Sequence, residues 1–317
     1  MSRLIALLLC CMVVGPSVAA DPFPTRPVTL IAPFAAGSAT DIFARIIGVE
    51  LRNTLGQPVL IDNKPGANGS VAAEYVKRAK PDGYTILMGT TGTASNVWLM
   101  REQRVDPTRD FEPVTRLGSI SWVIAVHASS PYRTLASLVD AARAQPGKLG
   151  IGYPSAGALI TSQTMLKAFR IDMITVPYKS SPQATTDLLG GRLAAMASDF
   201  ASGAGFFASG DLRPLAVSGK QRSALYPAVP TMHESGVTDF DLVGWFAAFV
   251  PAGTPRPIVD LLNAKIVEAM AVPSVRPQVD KLGIDIITGS PEALTEHLRR
   301  EIAKWEIYVR DSGLKPE

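Results

Sequence analysis

The chain has 317 residues, of which 47% are hydrophobic and 19% are charged, so it can bury one large core or two ordinary ones. This composition excludes a disordered chain and a fibrous repeat. Basic residues outnumber acidic residues by only 31 to 28, and no long basic run occurs, so nucleic acid is not an expected partner.

The first twenty residues have the pattern of a secretory signal peptide. Arg3 supplies a positive charge, residues 4–14 form an apolar run that is too short to cross a bilayer comfortably, and small residues offer a cleavage point near Ala19-Ala20. Cys10 and Cys11 both lie in this segment, so the mature protein would have no cysteine and no disulfide. We therefore expect an exported protein that is stabilised by its core alone. A retained membrane anchor is the alternative.

Apolar periodicity predicts a repeating order of strand, loop and helix along the rest of the chain. This alternation favours an α/β protein with mainly parallel sheets covered by helices. At this length, two lobes are nearer to the usual domain size than one continuous sheet. The predicted strands are residues 28–32, 59–62, 84–88, 123–127 and 149–152, and the predicted helices are residues 41–55, 71–80, 135–144 and 160–169.

Three segments that follow predicted strands, residues 33–40, 89–93 and 153–158, are the candidate ligand-binding loops. Open α/β sheets bind ligands at the carboxyl ends of their strands. The first and third loops also precede helices, whose first N–H groups and positive dipole end suit a carboxylate or a phosphate. Two such helix ends, facing each other across a cleft, could hold an anion without any arginine.

Each loop also has a structural explanation that the sequence alone leaves open. Ser38 and Asp41 have the spacing of a helix capping box, residues 89–93 could form an ordinary turn, and Ser155 could cap a helix. Asp199 follows an apolar run and could reach a pocket, or it could serve as a cap or a surface residue.

Sequence motifs for catalysis are scarce. The three histidines, His127, His233 and His297, are far apart, and there is no G-x-S-x-G nucleophile elbow, Walker lysine, G-x-G-x-x-G motif or metal-spaced His/Cys cluster. We therefore expect a binding protein with no cofactor rather than an enzyme. The alternative is a secreted hydrolase or lyase that acts on a small organic acid and depends on Asp199.

Ten short segments, spread over nearly the whole mature chain, match the pattern of a known family. They include PFAAG at 33–37, followed by Asp41, DNKPGA at 62–67, PDGYT at 81–85 and PAGTP at 251–255. The other segments are residues 26–31, 55–59, 176–179, 187–191, 212–217 and 229–232. Each is weak alone, but together, at consistent spacing, they resemble the periplasmic solute-binding receptors of tripartite tricarboxylate transporters, often called Bug receptors.

The resemblance implies a type II-like, two-lobed periplasmic binding protein with its ligand in the cleft between the lobes. We expect a monomer that closes on a small carboxylic acid and delivers it to the membrane permease subunits of a transporter. The chain of such receptors crosses between the lobes twice. This places lobe 1 at residues 21–121 plus 244–317 and lobe 2 at residues 122–243, after a signal peptide at residues 1–20.

In the family, the first strand–helix loop and the corresponding loop of the second lobe hold the ligand carboxylates, largely through backbone amides and bound water. Those loops match residues 34–40 and 155–158 here. No catalytic or metal-binding residue is implied. The candidate ligand-binding residues are Phe34, Ala36, Gly37, Ser38, Thr90, Thr91, Ser155, Gly157, Ala158 and Asp199.

Two departures from the family pattern bear on specificity. Many members carry a second glycine where this chain has Ser38, whose hydroxyl could add a donor. Many also carry Gly-Thr-x-x-His after the second-lobe loop, where Ala158, Leu159 and Ile160 remove polar groups. Since burying an unpartnered polar group costs about 1–3 kcal/mol, we expect a preference for a carboxylate with an apolar or aromatic body over citrate or amino acids. If Leu159 and Ile160 point into the lobe core, the cleft is unaltered.

Overall fold

The computed structural model describes residues 23–102 and 104–312. The expected signal peptide and both cysteines lie outside these residues. Within the described ranges, strands and helices alternate along the chain, and the predicted α/β class is confirmed. None of the helices in these ranges is long and apolar enough to cross a membrane.

Ten strands and ten α-helices make up the described part of the chain. The strands are β1 (Val28–Ala32), β2 (Val59–Asn63), β3 (Thr85–Thr90), β4 (Phe111–His127), β5 (Gly150–Tyr153), β6 (Ile174–Pro177), β7 (Ala195–Asp199), β8 (Leu212–Val217), β9 (Val243–Pro251) and β10 (Ile284–Ile286). The helices are α1 (Ala39–Leu55), α2 (Ser70–Lys77), α3 (Thr91–Leu99), α4 (Leu135–Ala144), α5 (Ala156–Phe169), α6 (Ser181–Leu189), α7 (Ala204–Ser209), α8 (Arg256–Met270), α9 (Val275–Asp280) and α10 (Pro291–Ser312).

One long strand, β4, connects two sheets. Its first part pairs with β9 and β10, and β9 leads on to β3, β1 and β2, which together form the first sheet. Its second part pairs with β7 and β8, and β7 leads on to β5 and β6, which form the second sheet. The partners of β4 change between Ser121, which lies opposite Val243 of β9, and Trp122, which lies opposite Asp199 of β7.

The expectation of mainly parallel sheets is wrong in one respect. Among the described residues, four strand pairs are parallel and five are antiparallel. Every antiparallel pair contains β4 or β9. These strands carry the chain out of the first sheet and back into it, so they run in opposite directions, and the sheets they join must be mixed. The strands that alternate with helices remain parallel to one another.

Three predicted boundaries differ near the junction of the sheets. The predicted strand 123–127 is only the end of β4. The earlier part of β4 has no regular apolar alternation in the sequence, because polar side chains such as Ser119 are buried and the pairing with β9 shifts register twice. Residues 89–93 form no separate loop, since Thr90 ends β3 and its hydroxyl caps α3, which begins at Thr91. Helix α5 begins at Ala156 rather than at residue 160.

Helix α1 shows how apolar spacing places a helix over the first sheet. Phe43, Ile47 and Leu51 recur every four residues and are at most 2% exposed. Gly56 ends the helix in the left-handed region at φ 66°, which glycine adopts without steric strain. The ring of Phe43 meets the ring of Phe246 edge-on, with centroids 5.2 Å apart, and this contact fixes α1 against β9.

Replacing Phe43 with alanine should lower the free energy of unfolding by about 3–5 kcal/mol, because the buried ring leaves a cavity. Val49→Ala on the same helix is the matched control. Val49 is 63% exposed, so its truncation should change the free energy by no more than about 0.5 kcal/mol. Urea denaturation followed by circular dichroism measures both changes. Equal effects of the two substitutions would contradict the packing of α1 on the first sheet.

Candidate ligand-binding site between the two sheets

A cavity of about 60 Å³, here called the inner cavity, lies where the two sheets meet. The starts of α1, α3 and α5 and the two crossing strands β4 and β9 contribute to its walls. It is lined by seven of the ten predicted ligand-binding residues, which are Phe34, Ser38, Thr90, Thr91, Ser155, Gly157 and Asp199. The other lining residues are Ala39, Thr40, Asn68, Gly92, Ile120, Trp122, Pro154, Ser181, Ser202, Gly244, Trp245 and Phe246.

The start of α1 is closed by its own side chains. Ser38 Oγ accepts a hydrogen bond from the Asp41 N–H (3.4 Å), so the capping role of Ser38 is confirmed. Asp41 Oδ2 accepts from the Gly37 N–H (3.0 Å), and Arg45 donates two hydrogen bonds to the Asp41 carboxylate. Burial acts to raise the pKa of Asp41, but the bonds from Arg45 and Gly37 outweigh it and hold that pKa below its usual value. Ala36 and Gly37 are exposed and do not line the inner cavity.

Ala158 also lies away from the inner cavity. Ala158 and Ile160 are fully buried in a core cluster with residues of the second sheet, and Leu159 lines a neighbouring groove instead. The reason is that α5 begins at Ala156, so residues 158–160 follow helical rather than loop geometry. The expected apolar wall at residues 158–160 is therefore not part of this cavity.

Asp199 and Ser202 connect the two sheets through hydrogen bonds. Asp199 Oδ1 accepts from the Ser202 N–H (2.7 Å), and Asp199 Oδ2 accepts from the Ser202 hydroxyl (3.1 Å). Ser202 Oγ in turn accepts from the Ala39 N–H (2.9 Å) at the start of α1. Burial raises the pKa of Asp199 because the charged carboxylate is poorly solvated there. Asp199 is the only ionisable side chain among the residues that line the inner cavity.

The start of α5 packs directly against an indole ring of β4. Ser155 caps the helix, since its Oγ accepts from the Ala158 N–H (3.4 Å). A Cβ atom at Gly157 would lie 1.9 Å from Cζ2 of Trp122, and one at Gly244 would lie 3.0 Å from the same ring. The Trp122 ring therefore packs between Gly157 of α5 and Gly244 of β9. Only glycine at position 157 leaves room for this contact between the ring and α5.

Thr90 and Thr91 hold the start of α3 next to β9. The Thr90 hydroxyl accepts from the Gly92 N–H (3.2 Å), and the Thr90 N–H donates to Thr93 Oγ1 (3.1 Å). Thr91 Oγ1 accepts from the backbone N–H of Trp245 (3.2 Å). Both predicted threonines thus line the cavity while also fixing its walls.

Four lining residues that matter for the architecture were missed by sequence reasoning: Asn68, Trp122, Ser202 and Trp245. The two indoles supply apolar surface, and the Trp245 Nε1–H donates to the buried carboxylate of Glu301 on α10 (2.9 Å). The sequence does contain a signal for the two tryptophans. The chain has only four tryptophans, and Trp122 and Trp245 each follow a small residue within an apolar segment, as large aromatic side chains in a binding cavity can do. Asn68 lies in a single 3-10 helical turn (Ala67–Gly69) and Ser202 lies in a turn, and polar residues are common in such segments and carry no comparable signal.

The inner cavity combines neutral hydrogen-bonding groups with aromatic surface. No lysine, arginine or histidine lines it. In residues 23–102 and 104–312, no group of three or more His, Cys, Asp or Glu side chains could hold a metal ion. Such a cavity suits the non-covalent binding of a small polar or anionic molecule with an apolar portion.

The chain matches the family described as "Tripartite tricarboxylate transporter family receptor" over residues 43–314. Protein BugT of Bordetella pertussis is 32% identical over 324 residues, covering 99% of each chain. A solved R. palustris protein with adipate is 32% identical, with a TM-score of 0.90, and the match covers 93% of this chain and 100% of that one. MatC from Rhodopseudomonas palustris, solved with bound malate, is 29% identical, with a TM-score of 0.85 over 90% of this chain and 100% of its own.

The similarities to BugT and to the two solved structures extend along 90–99% of the chain. The two-lobed periplasmic binding protein fold is confirmed by them. The family consists of substrate-binding receptors, so the expectation of a binding protein is confirmed and a hydrolase or lyase is not supported. The chain belongs to the tripartite tricarboxylate transporter receptor family.

Proposed function

We propose that this protein binds a small carboxylate in the inner cavity and delivers it to the membrane permease subunits of a tripartite transporter. The observation that carries this proposal is the meeting of two capped helix starts, α1 and α5, at a cavity with neutral hydrogen-bonding groups and aromatic walls. The binding of adipate and malate by two similar receptors supports the same ligand class.

The chemistry of the cavity suits a carboxylate without a cationic partner. A hydrogen bond to a charged group contributes about 1.5–3 kcal/mol, so a few bonds from hydroxyl and N–H groups give roughly micromolar affinity after the ordering costs of binding. Hydroxyl groups of Ser38, Thr90, Thr91 and Ser155 line the cavity from both sheets. The ligand would thereby hold the two sheets together.

The division of the strands supports two lobes that move about β4 and β9. We place lobe 1 at residues 21–121 plus 244–317 and lobe 2 at residues 122–243, with cleavage of residues 1–20 on export to the periplasm and a monomeric mature protein. The inner cavity, at about 60 Å³, is much smaller than the roughly 300–1,000 Å³ of usual ligand sites. Entry of a ligand therefore requires the lobes to open.

A panel of mono- and dicarboxylates tests the proposal by thermal shift and X-ray scattering. A bound acid should stabilise the protein by about 2.7 kcal/mol at a hundredfold excess over its Kd and should reduce the radius of gyration of ligand-free protein. Neutral sugars and amines serve as the negative set. The proposal fails if no carboxylate raises the melting temperature, or if an acid is turned over to product.

Gly157→Ala should weaken carboxylate binding by at least about tenfold, because the new methyl group would collide with Trp122 and displace a wall of the cavity. Gly205→Ala is the matched control, since this helical glycine on α7 has nothing within 4 Å of the added carbon. Isothermal titration calorimetry with the best acid of the panel measures both. Unchanged affinity in Gly157→Ala would contradict the role of this contact.

The affinity for the ionised form of a carboxylate should rise as the pH falls through the raised pKa of Asp199. Below that pKa the side chain is uncharged and no longer repels a bound carboxylate; above it the repulsion returns. Asp199→Asn should remove this dependence and bind about tenfold more tightly than the wild type at a pH above that pKa. Asp140→Asn, at an exposed position on α4, is the control and should keep the wild-type profile. Isothermal titration calorimetry across a pH series measures the affinity of each variant. If the affinity of Asp199→Asn depends on pH as that of the wild type does, the prediction is refuted.

A further inference from the structure

Asn68 lies between the inner cavity and a second, larger space. This outer groove has a volume of about 350 Å³ and shares Asn68, Pro154 and Ser155 with the inner cavity. The rest of its lining is largely apolar. Its apolar lining residues include Leu99, Met100, Leu159 and Pro177.

The Asn68 side chain is held from both sheets. Its Nδ2 donates to Ser95 Oγ (3.1 Å) and to Asn96 Oδ1 (2.8 Å) on α3. Its Oδ1 accepts from the Ala156 N–H (3.1 Å) at the start of α5. The amide group therefore spans the space between the two helices at the point where the inner cavity meets the outer groove.

The backbone of Asn68 is equally constrained. Its φ of 49° and ψ of 37° lie in the left-handed region, which asparagine tolerates better than most residues other than glycine. Its carbonyl accepts from Asn96 Nδ2 (3.2 Å) and lies so close to Gly92 that a Cβ there would come within 2.3 Å of it. The side chain cannot move aside easily, because both the backbone and the amide are fixed.

We propose that Asn68 limits the length of the ligand, so that the protein prefers a short dicarboxylate such as succinate over a longer one such as adipate. This inference rests on the proposed carboxylate-binding function. A longer acid would have to pass from the inner cavity into the outer groove. It would then displace the Asn68 amide and leave the Ala156 N–H and the polar groups of Ser95 and Asn96 without their partner. A short acid leaves these bonds intact.

Asn68→Gly tests this by removing the side chain at a position whose backbone suits glycine. Calorimetry with succinate and adipate should show that the wild type binds succinate at least about 30-fold more tightly than adipate. In Asn68→Gly the two affinities should come within about threefold, through a gain of adipate binding. Asp239→Gly is the matched control, because exposed Asp239 also has a left-handed φ, of 56°, and lies outside both spaces; it should keep the wild-type ratio.

A second variant distinguishes the steric effect of the Asn68 side chain on ligand length from the effect of charge at the site. Asn68→Asp keeps the size of the side chain and the acceptor for Ala156, but it loses the two hydrogen bonds that Nδ2 donates and adds a negative charge. It should therefore weaken the binding of both acids while succinate remains the tighter ligand. The length limit is overturned if the wild type binds adipate as tightly as succinate, or if folded Asn68→Gly keeps the wild-type ratio. If neither acid nor any other carboxylate binds the wild type, the proposed function itself fails.

Discussion

The antiparallel pairing of β4 with β9 is the constraint on which the site depends. These strands are the two crossings of the chain between the sheets, and β4 exchanges its partners between Ser121 and Trp122. Both sheets contain or adjoin these crossing strands. The starts of α1 and α3 on the first sheet and of α5 on the second sheet therefore meet at the inner cavity. Trp122 and Trp245 come from the crossings themselves, so the walls of the inner cavity are part of the connection between the sheets.

The electrostatics of the inner cavity are those of a site for reversible binding. Among the residues that the structure describes, Asp199 is the one ionisable side chain in the lining of the cavity, and its pKa is raised by burial. Hydroxyl groups of other lining residues also cap helices. Ser202 donates two hydrogen bonds to the Asp199 carboxylate and accepts one from the Ala39 N–H, and these bonds connect the two sheets beside the inner cavity. Because no lysine, arginine or histidine of the described ranges lines the cavity, a carboxylate would be held there by hydrogen bonds without an ion pair, which allows release as well as capture.

Local patterns in the sequence predicted the parts of the fold that depend on near neighbours. The predicted bounds 135–144 are those of α4, where Thr134 caps a regular apolar stripe. The course of β4 could not be predicted in the same way, because buried Thr115 and Ser119 find their partners in distant strands and turns. The loops that precede α1 and α5 could be predicted as candidate sites, but the bond from Ala39 to Ser202 joins residues 163 positions apart. Ala158 was placed in a loop because the helix was predicted to begin at residue 160, whereas Ser155 caps α5 and the helix begins at Ala156.

The position of Trp122 also gives the protein an intrinsic optical property. Its ring is only 6% exposed and is packed between a glycine of the second sheet's helix α5 and a glycine of the first sheet's strand β9. Separation of the sheets would bring water to the indole, and indole emission moves to longer wavelength in water. If the lobes open as proposed, the emission of Trp122 would therefore report that opening in unlabelled protein.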